Sequence, residues 1–237
     1  MYKRVLLKLS GEALSGESQK GFSDEHVDYL IEEIRKISEL GVRLGIVIGA
    51  GNLFRGRDFK NLRPTIADQI GMLGTVVNSL YLKDRLEGAG IRTVVVSQIV
   101  SVPSVKAINY DDIDLYFDAG YVVVFAGGTS NPFFTTDTGA ALRAVEMKAE
   151  LLIKGTKVSG IYDKDPKIHS NAKKYDTITY DEAIENDLKI LDIEAFSICK
   201  RYDMKILVMD FFECGNLLKA INGENVGTLV IPSKESR

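Results

Sequence analysis

The chain has 237 residues, a formal net charge of −3, 45% hydrophobic and 27% charged residues. That composition suits a globular protein of one large or two small domains, and it offers no excess of positive charge to argue for a nucleic-acid or membrane surface. Cys199 and Cys214 form no CxxC pair, and two histidines supply no zinc-type spacing; a reducing, cytoplasmic setting fits, and free buried thiols are the default reading of the two cysteines. The apolar run near the start is too short for a signal peptide and contains Lys8. No segment approaches the roughly 20 apolar residues of a membrane span.

Residues 5–9 read as a buried strand, interrupted by Lys8 and followed by Ser10 and Gly11. An unpaired buried ammonium is costly, so Lys8 either snorkels to the sheet edge or points at a phosphate. Residues 15–21 read as a polar loop. Its GxxxxG, from Gly16 to Gly21, contains Lys20 but continues as Phe22 and Ser23, so it is no Walker A. Ser23 is the expected cap of a helix with Asp24 and Glu25 in its first turn. Val27, Leu30, Ile31, Ile34 and Ile37 form its apolar face, and Gly41 ends it.

Residues 42–48 predict a second strand running into GAGNLFRGR (49–57). Gly49 and Gly51 begin a dinucleotide-type fingerprint, but Phe54 fills the third glycine position, so the signal is weak. Arg55 and Arg57 fit either a phosphate site or a solvated basic loop. Residues 65–86 predict a long helix with Asp68 near its start, as a first-turn acid or a ligand contact. Gly71 and Gly74 suggest close packing against a neighbour, which could be another subunit. Strands at 91–96 and 122–125 and a short helix at 110–118 follow.

The most informative stretch is YVVVFAGGTSNPFFTTDTGAALRA (121–144). A buried strand opens through a loop rich in glycine and hydroxyls into a helix N-terminus, which is where α/β proteins hold anions. An ordinary connection capped by Thr136 or Asp137 is the alternative, but such connections usually run about 2–6 residues, fewer than are spent here. The next strand, 151–153, leads through Lys154 into GTKVSGIYDKDP (155–166). Tyr162 can stack on a base, and Asp163 and Asp165 can accept from a ribose or an adenine amino group; a surface turn uses the same Asp-Lys-Asp-Pro chemistry. Helices at 180–186, 194–202 and 215–221 and strands at 206–209 and 227–231 complete the chain. It shows no internal repeat, low-complexity tract or inter-domain linker.

The alternation predicts an α/β fold, a mostly parallel sheet with helices on both faces and ligands at the carboxyl ends of its strands. The loops after residues 9, 48, 125 and 153 then converge. They offer glycines, hydroxyls, two strand-end lysines, arginine and a few acids, without Cys or His. That inventory suits phosphoryl transfer by positioning and charge neutralisation, without a P-loop.

These motifs resemble the amino-acid kinase superfamily, and within it the bacterial UMP kinases (uridylate kinases). The matching pieces are KLSGEAL (8–14), IGAGNLFRG (48–56), DQIGMLGT (68–75), GGTSNPFFTTD (127–137) and KGTKVSGIYDKDP (154–166), in family order over nearly the whole chain. The resemblance implies the amino-acid kinase fold, a three-layer α/β/α sandwich, as one domain over 1–237. Its UMP-binding part would span roughly 1–150 and its ATP-binding part roughly 151–237. It implies transfer of the ATP γ-phosphoryl group to UMP, giving ADP and UDP in de novo pyrimidine nucleotide biosynthesis, with Mg²⁺.

By the same resemblance, Lys8, Leu9, Ser10, Gly11, Gly51 and Arg55 line the ATP phosphates, and Thr156, Tyr162 and Asp165 hold the adenosine. Ala50 (through its backbone), Asp68, Thr129, Ser130, Asn131, Pro132, Phe133, Phe134, Thr135 and Thr136 hold UMP. Lys8 and Lys154 flank the transferring group, with Asp137 and Asp192 as polar organisers. The attacking phosphate of UMP is already ionised, so no general base is needed. A homohexamer, activation by GTP and inhibition by UTP are family traits that these residues do not themselves show.

Three residues depart from the family pattern. Ala50 stands where many relatives have Gly, which a backbone contact tolerates. Gly155 and Ser159 replace the Ala and Asp of the usual KATKVDG, which points to a looser nucleotide loop and puts any role of that Asp in doubt. Two other functions remain as competitors. A carboxylate or carbamate kinase is opposed by the 131–137 loop and Asp68, and a nucleotide sensor without turnover is opposed by the presence of both lysines.

Overall fold

The computed structural model describes residues 1–100, 102–166 and 168–233, and a nine-stranded sheet runs through its centre. The strands are β1 (Arg4–Leu9), β2 (Arg43–Ile48), β3 (Thr93–Ser97), β4 (Val105–Ala107), β5 (Val122–Ala126), β6 (Leu151–Thr156), β7 (Thr177–Thr179), β8 (Ile206–Asp210) and β9 (Gly227–Ile231). The helices are α1 (Asp24–Glu39), α2 (Pro64–Gly88), α3 (Tyr110–Asp118), α4 (Thr136–Glu146), α5 (Tyr180–Glu185), α6 (Ile193–Arg201) and α7 (Asn216–Asn222). In space the strands run β4-β3-β5-β2-β1-β6-β8-β9-β7. Every neighbouring pair is parallel except β8 with β9.

Two apolar cores flank the sheet. Val5, Leu7 and Leu9 of β1 point into one, with α1, α2 and α7; Leu6 points into the other, with α3, α4, α5 and α6. Helices on both faces leave the central strands buried on both sides, which is why they read as near-continuous apolar runs. The expected three-layer α/β/α sandwich with a mostly parallel sheet is therefore what forms. Parallel strands bring the exits of β1, β2, β5, β6 and β8 to one edge.

The local differences are informative. Ser23 stands at the cap of α1, but its hydroxyl lies against His26 Nδ1, at 3.3 Å, and makes no capping bond. The cap of α4 is Thr135, not Thr136 or Asp137: its hydroxyl accepts from the Asp137 and Thr138 N–H groups. The expected polar loop at 15–21 contains a short 3-10 turn, Gly16–Ser18. Strands β4 and β7, three residues each, are too short to show a period. Among the described residues, no helix is long and apolar enough to cross a membrane.

Candidate active site

The β1–β6 ladder sets Lys8 level with Lys154. Each shares a face with its second neighbour along the strand, Leu6 and Leu152, which pack into the α3–α6 core. Both ammonium groups therefore rise on the side where α4 begins, and Asp137 in its first turn lies between them. Lys8 Nζ pairs with Asp137 Oδ1, and Lys154 Nζ donates to Asp137 Oδ2 at 2.8 Å and to the Ile190 carbonyl at 2.7 Å. Lys8 is only 9% exposed, so it does not snorkel. Burial alone would raise the Asp137 carboxyl; the ammonium groups of Lys8 and then Lys154 outweigh it and hold the group below the usual carboxylate range. Two cations and one anion at a helix N-terminus leave a net positive site for further negative charge.

Asp192 sits one step away. It caps α6, accepting from Ala195 N–H at 2.7 Å, and it accepts from the hydroxyls of Thr138, at 2.9 Å, and Thr135. It thus ties α6 to the start of α4 and supports the helix that carries Asp137.

The exits of β1 and β2 meet backbone to backbone. A Cβ on Gly11 would lie 2.7 Å from Gly49 O and 2.8 Å from Gly51 N, so only glycine allows this approach. Arg55 donates through Nε to Gly51 O at 2.9 Å and through Nη2 to Glu12. Arg57 is the solvated cation of the pair, its side chain 77% exposed. The β2 exit leads into a 3-10 turn, Gly56–Asp58, rather than directly into a helix, which disposes of the dinucleotide fingerprint.

A cleft opens between this loop, α2 and the β5 exit. Ala50, Gly51, Asp68, Gly71, Gly128, Phe134, Thr135 and Thr136 are among its lining residues. Asp68 Oδ2 accepts from Phe133 N–H at 2.8 Å, fastening the loop to the start of α2. The Thr129 hydroxyl donates to Asn131 O at 3.1 Å and accepts from Asn131 N–H at 3.2 Å. Ser130 and Phe133 hold left-handed φ angles of 68° and 71° on either side of Pro132. Gly71, expected to pack closely, faces open space at the cleft; Gly74 does pack closely, but against Ala50 of the same chain.

On the other side, Thr156 ends β6, its hydroxyl bonded to Val158 O at 2.9 Å and Met209 O at 3.2 Å. Tyr162 lies further along this exit, its OH 2.7 Å from Ser159 Oγ. Asp165 follows, its carbonyl accepting from Ile168 and His169 N–H. Gly155 is closely packed: a Cβ there would lie 2.6 Å from Leu9 Cδ2 and 3.1 Å from Phe211 Cβ. Leu9 and Phe211 take up the space that an alanine methyl would need.

The amino acid kinase family model matches residues 3–210. The chain belongs to the amino acid kinase family. It is 83% identical to a uridylate kinase of Fervidobacterium nodosum, over 98% of this chain and 99% of that protein. It is 72% identical to a uridylate kinase of Thermosipho melanesiensis, over 98% of this chain and 100% of that one. Among solved structures, a UMP kinase from Bacillus anthracis has a TM-score of 0.94 at 33% identity, covering 97% of this chain and 96% of that one. A UMP kinase from Ureaplasma parvum has a TM-score of 0.92 at 31% identity, covering 98% and 99%.

In this amino acid kinase, motif reading singled out Lys8, Lys154 and Asp137, and the fold brings them together. It did not single out Glu12, the Ile190 carbonyl, Thr75, Asn52 or Asn78. The available signal for the last three was polarity inside otherwise apolar or glycine-rich segments.

Proposed function

We propose that this amino acid kinase transfers the γ-phosphoryl group of MgATP to the phosphate of UMP, giving ADP and UDP, a step of de novo pyrimidine nucleotide biosynthesis. The observation that carries the proposal is the lysine pair, level across β1 and β6 and joined through Asp137. The names of the relatives, uridylate kinase and UMP kinase, support the choice of acceptor.

Phosphoryl transfer asks mainly for alignment and for neutralisation of charge on the phosphoryl oxygens. Lys8 and Lys154 supply that charge from two sides. Asp137 keeps the two ammonium groups together against their mutual repulsion. The acceptor phosphate has a second pKa of about 6, so it is already a nucleophile near neutral pH, and a site without a general base suffices. Lys8, Leu9, Ser10, Gly11, Gly51 and Arg55 face the ATP phosphates, and Thr156, Tyr162 and Asp165 the adenosine. The Ala50 backbone, Asp68 and residues 129–136 face UMP. The chain then acts as one domain, with an acceptor part over roughly 1–150 and a donor part over roughly 151–237.

The donor set does not form a resident metal cage. Among the described residues, no group of three or more His, Cys, Asp or Glu could hold a metal ion, and Asp137 is already engaged by two cations. Mg²⁺ belongs to this reading as part of the nucleotide substrate, held largely by phosphate oxygens and water.

A homohexamer, a cytoplasmic location, activation by GTP and inhibition by UTP extend the same reading and rest on family resemblance. Light scattering for mass, and turnover with added GTP or UTP, test them. The reaction itself is tested by coupled ADP release with MgATP and UMP, with CMP as control. Turnover with UMP alone supports both reaction and base selectivity. Equal rates with CMP undo the acceptor assignment, and no ADP release with either undoes the kinase.

A further inference from the structure

Helix α2 buries three polar side chains, Thr75, Asn78 and Ser79. Ser79 is satisfied inside the helix, its hydroxyl donating to Thr75 O at 2.7 Å. The other two reach out of it. Thr75 Oγ1 donates to Met72 O at 2.6 Å, which commits its proton, and its oxygen accepts from Gly127 N–H at 2.8 Å. Asn78 Nδ2 donates to Gly49 O and to Asn52 Oδ1, both at 2.7 Å. Asn52 Nδ2 donates back to Asn78 Oδ1 at 3.1 Å and on to Gly21 O at 2.9 Å.

Thr75 and Asn78 lie three apart and so share one face of the helix. Gly74, beside Thr75, leaves the room that Ala50 fills: a Cβ there would lie 2.8 Å from the Ala50 methyl carbon. One helix face therefore grips two separate strand exits. Thr75 holds the β5 exit at the residue where the acceptor loop begins. Asn78 holds the β2 exit, which in the reading above touches both substrates.

We infer that Thr75 and Asn78 are positioning residues, and that α2 is the strut fixing the acceptor loop relative to the loop after β2. Apolar side chains would serve a purely packing role here without the cost of burying polar groups. Each hydroxyl and amide instead meets a backbone group of a strand exit. Alignment of the two phosphates tolerates little displacement, so a fixed spacing between these two loops matters to how UMP is held. The inference rests on the UMP kinase reading, and its test separates the two.

The experiment measures KM for UMP and for MgATP, kcat and Tm in the whole protein for Thr75→Val, Thr75→Ser and Asn78→Ser. Thr75→Val keeps the shape and removes the acceptor for a buried N–H, whose loss is costly. KM for UMP is expected to rise about tenfold, the equivalent of one such lost interaction, with KM for MgATP within about twofold. Thr75→Ser keeps the hydroxyl and restores KM for UMP. Asn78→Ser raises both KM values. A Thr75→Val protein with unchanged KM for UMP, or with both KM values raised equally, overturns the inference even where Tm falls. If Thr75→Val does not fold, Thr75→Ala is read by the same criteria. A wild-type chain without UMP-dependent ADP release overturns the underlying reading instead.

Discussion

The two sides of the site are built differently. The exits of β2 and β5 are held by bonds from residues far away in sequence: Thr75 to Gly127 and Asn78 to Gly49, both buried, and Asp68 to Phe133 at the surface. The exit of β6 is anchored at the strand end, where the Thr156 hydroxyl meets Met209 O at 3.2 Å, and again five residues on, where Ile161 N–H donates to Thr228 Oγ1 at 2.8 Å. It also makes contacts within itself, Ser159 with Tyr162 and Lys173 N–H with Asp163 Oδ1 at 2.8 Å, and many of residues 163–166 and 168–174 are exposed. The acceptor side is thus formed by the scaffold, and a substitution there acts through the helix that holds the loop. On the donor side a substitution acts on the group it touches.

The sharpest test lies at the boundary, because the lysine pair serves both sides. Lys8→Ala is expected to lower kcat by about 10²–10³, the effect of removing one preorganised charge-stabilising donor. KM values for both substrates should move far less than kcat. Near-normal turnover would take Lys8 out of the mechanism and leave the two sides without a common centre.

Asp137 tests the same centre through stability. Its folded-state pKa lies below that of a free carboxyl. The ion pairs therefore contribute stability that is present above the unfolded value, about 3.9, and is lost as pH falls through the lower folded value. Urea midpoints of the wild type and Asp137→Asn should differ at pH 7 and converge as pH falls below about 4. A constant difference across that range would mean that the charge of Asp137 does not stabilise the fold.

Much of this was legible in advance, for identifiable reasons. The apolar stripe from Val27 to Ile37 carries a helical period, and the strands at 42–48 and 122–125 stand out as near-continuous apolar runs. Lys8 and Lys154 stand out because a charge interrupts a strand. That Asp137 joins them was not legible, since it depends on the β1–β6 register and on where α4 starts. Nor was the orientation of β9, because parallel and antiparallel pairing leave the same apolar pattern in one short strand. The roles of Thr75 and Asn78 were not legible, because a polar residue in a long helix is usually at the surface. The close packing of Leu9 and Phe211 beside Gly155 was not legible either, since it depends on residues distant in sequence.

On the acceptor side, Asp68→Asn keeps an oxygen for Phe133 N–H but loses the charge. KM for UMP should rise about tenfold, the range for a hydrogen bond to a charged group, while KM for MgATP stays near wild type. Steady-state kinetics with each substrate varied in turn would show it. Equal changes in both constants would mean that the two sides are coupled through α2 more tightly than their separate contacts suggest.

The donor side should give the smallest effect. Ser159 Oγ lies 2.7 Å from Tyr162 OH, a contact within one loop between partly exposed groups. Such a bond contributes about 0.5–1.5 kcal/mol, and partly exposed groups fall in the lower half of that range, about 0.5–1 kcal/mol, so Ser159→Ala should raise KM for MgATP about two- to fivefold. KM for UMP and kcat should not change. Tyr162→Phe removes the other partner and should match it, and the double variant should be no worse than either single one, because both delete the same bond. Additive losses would mean that the two hydroxyls act separately on the nucleotide. A change in KM for UMP would mean that this loop is tied to the acceptor side after all, and the contrast between a scaffold-held acceptor site and a locally built donor site would fail.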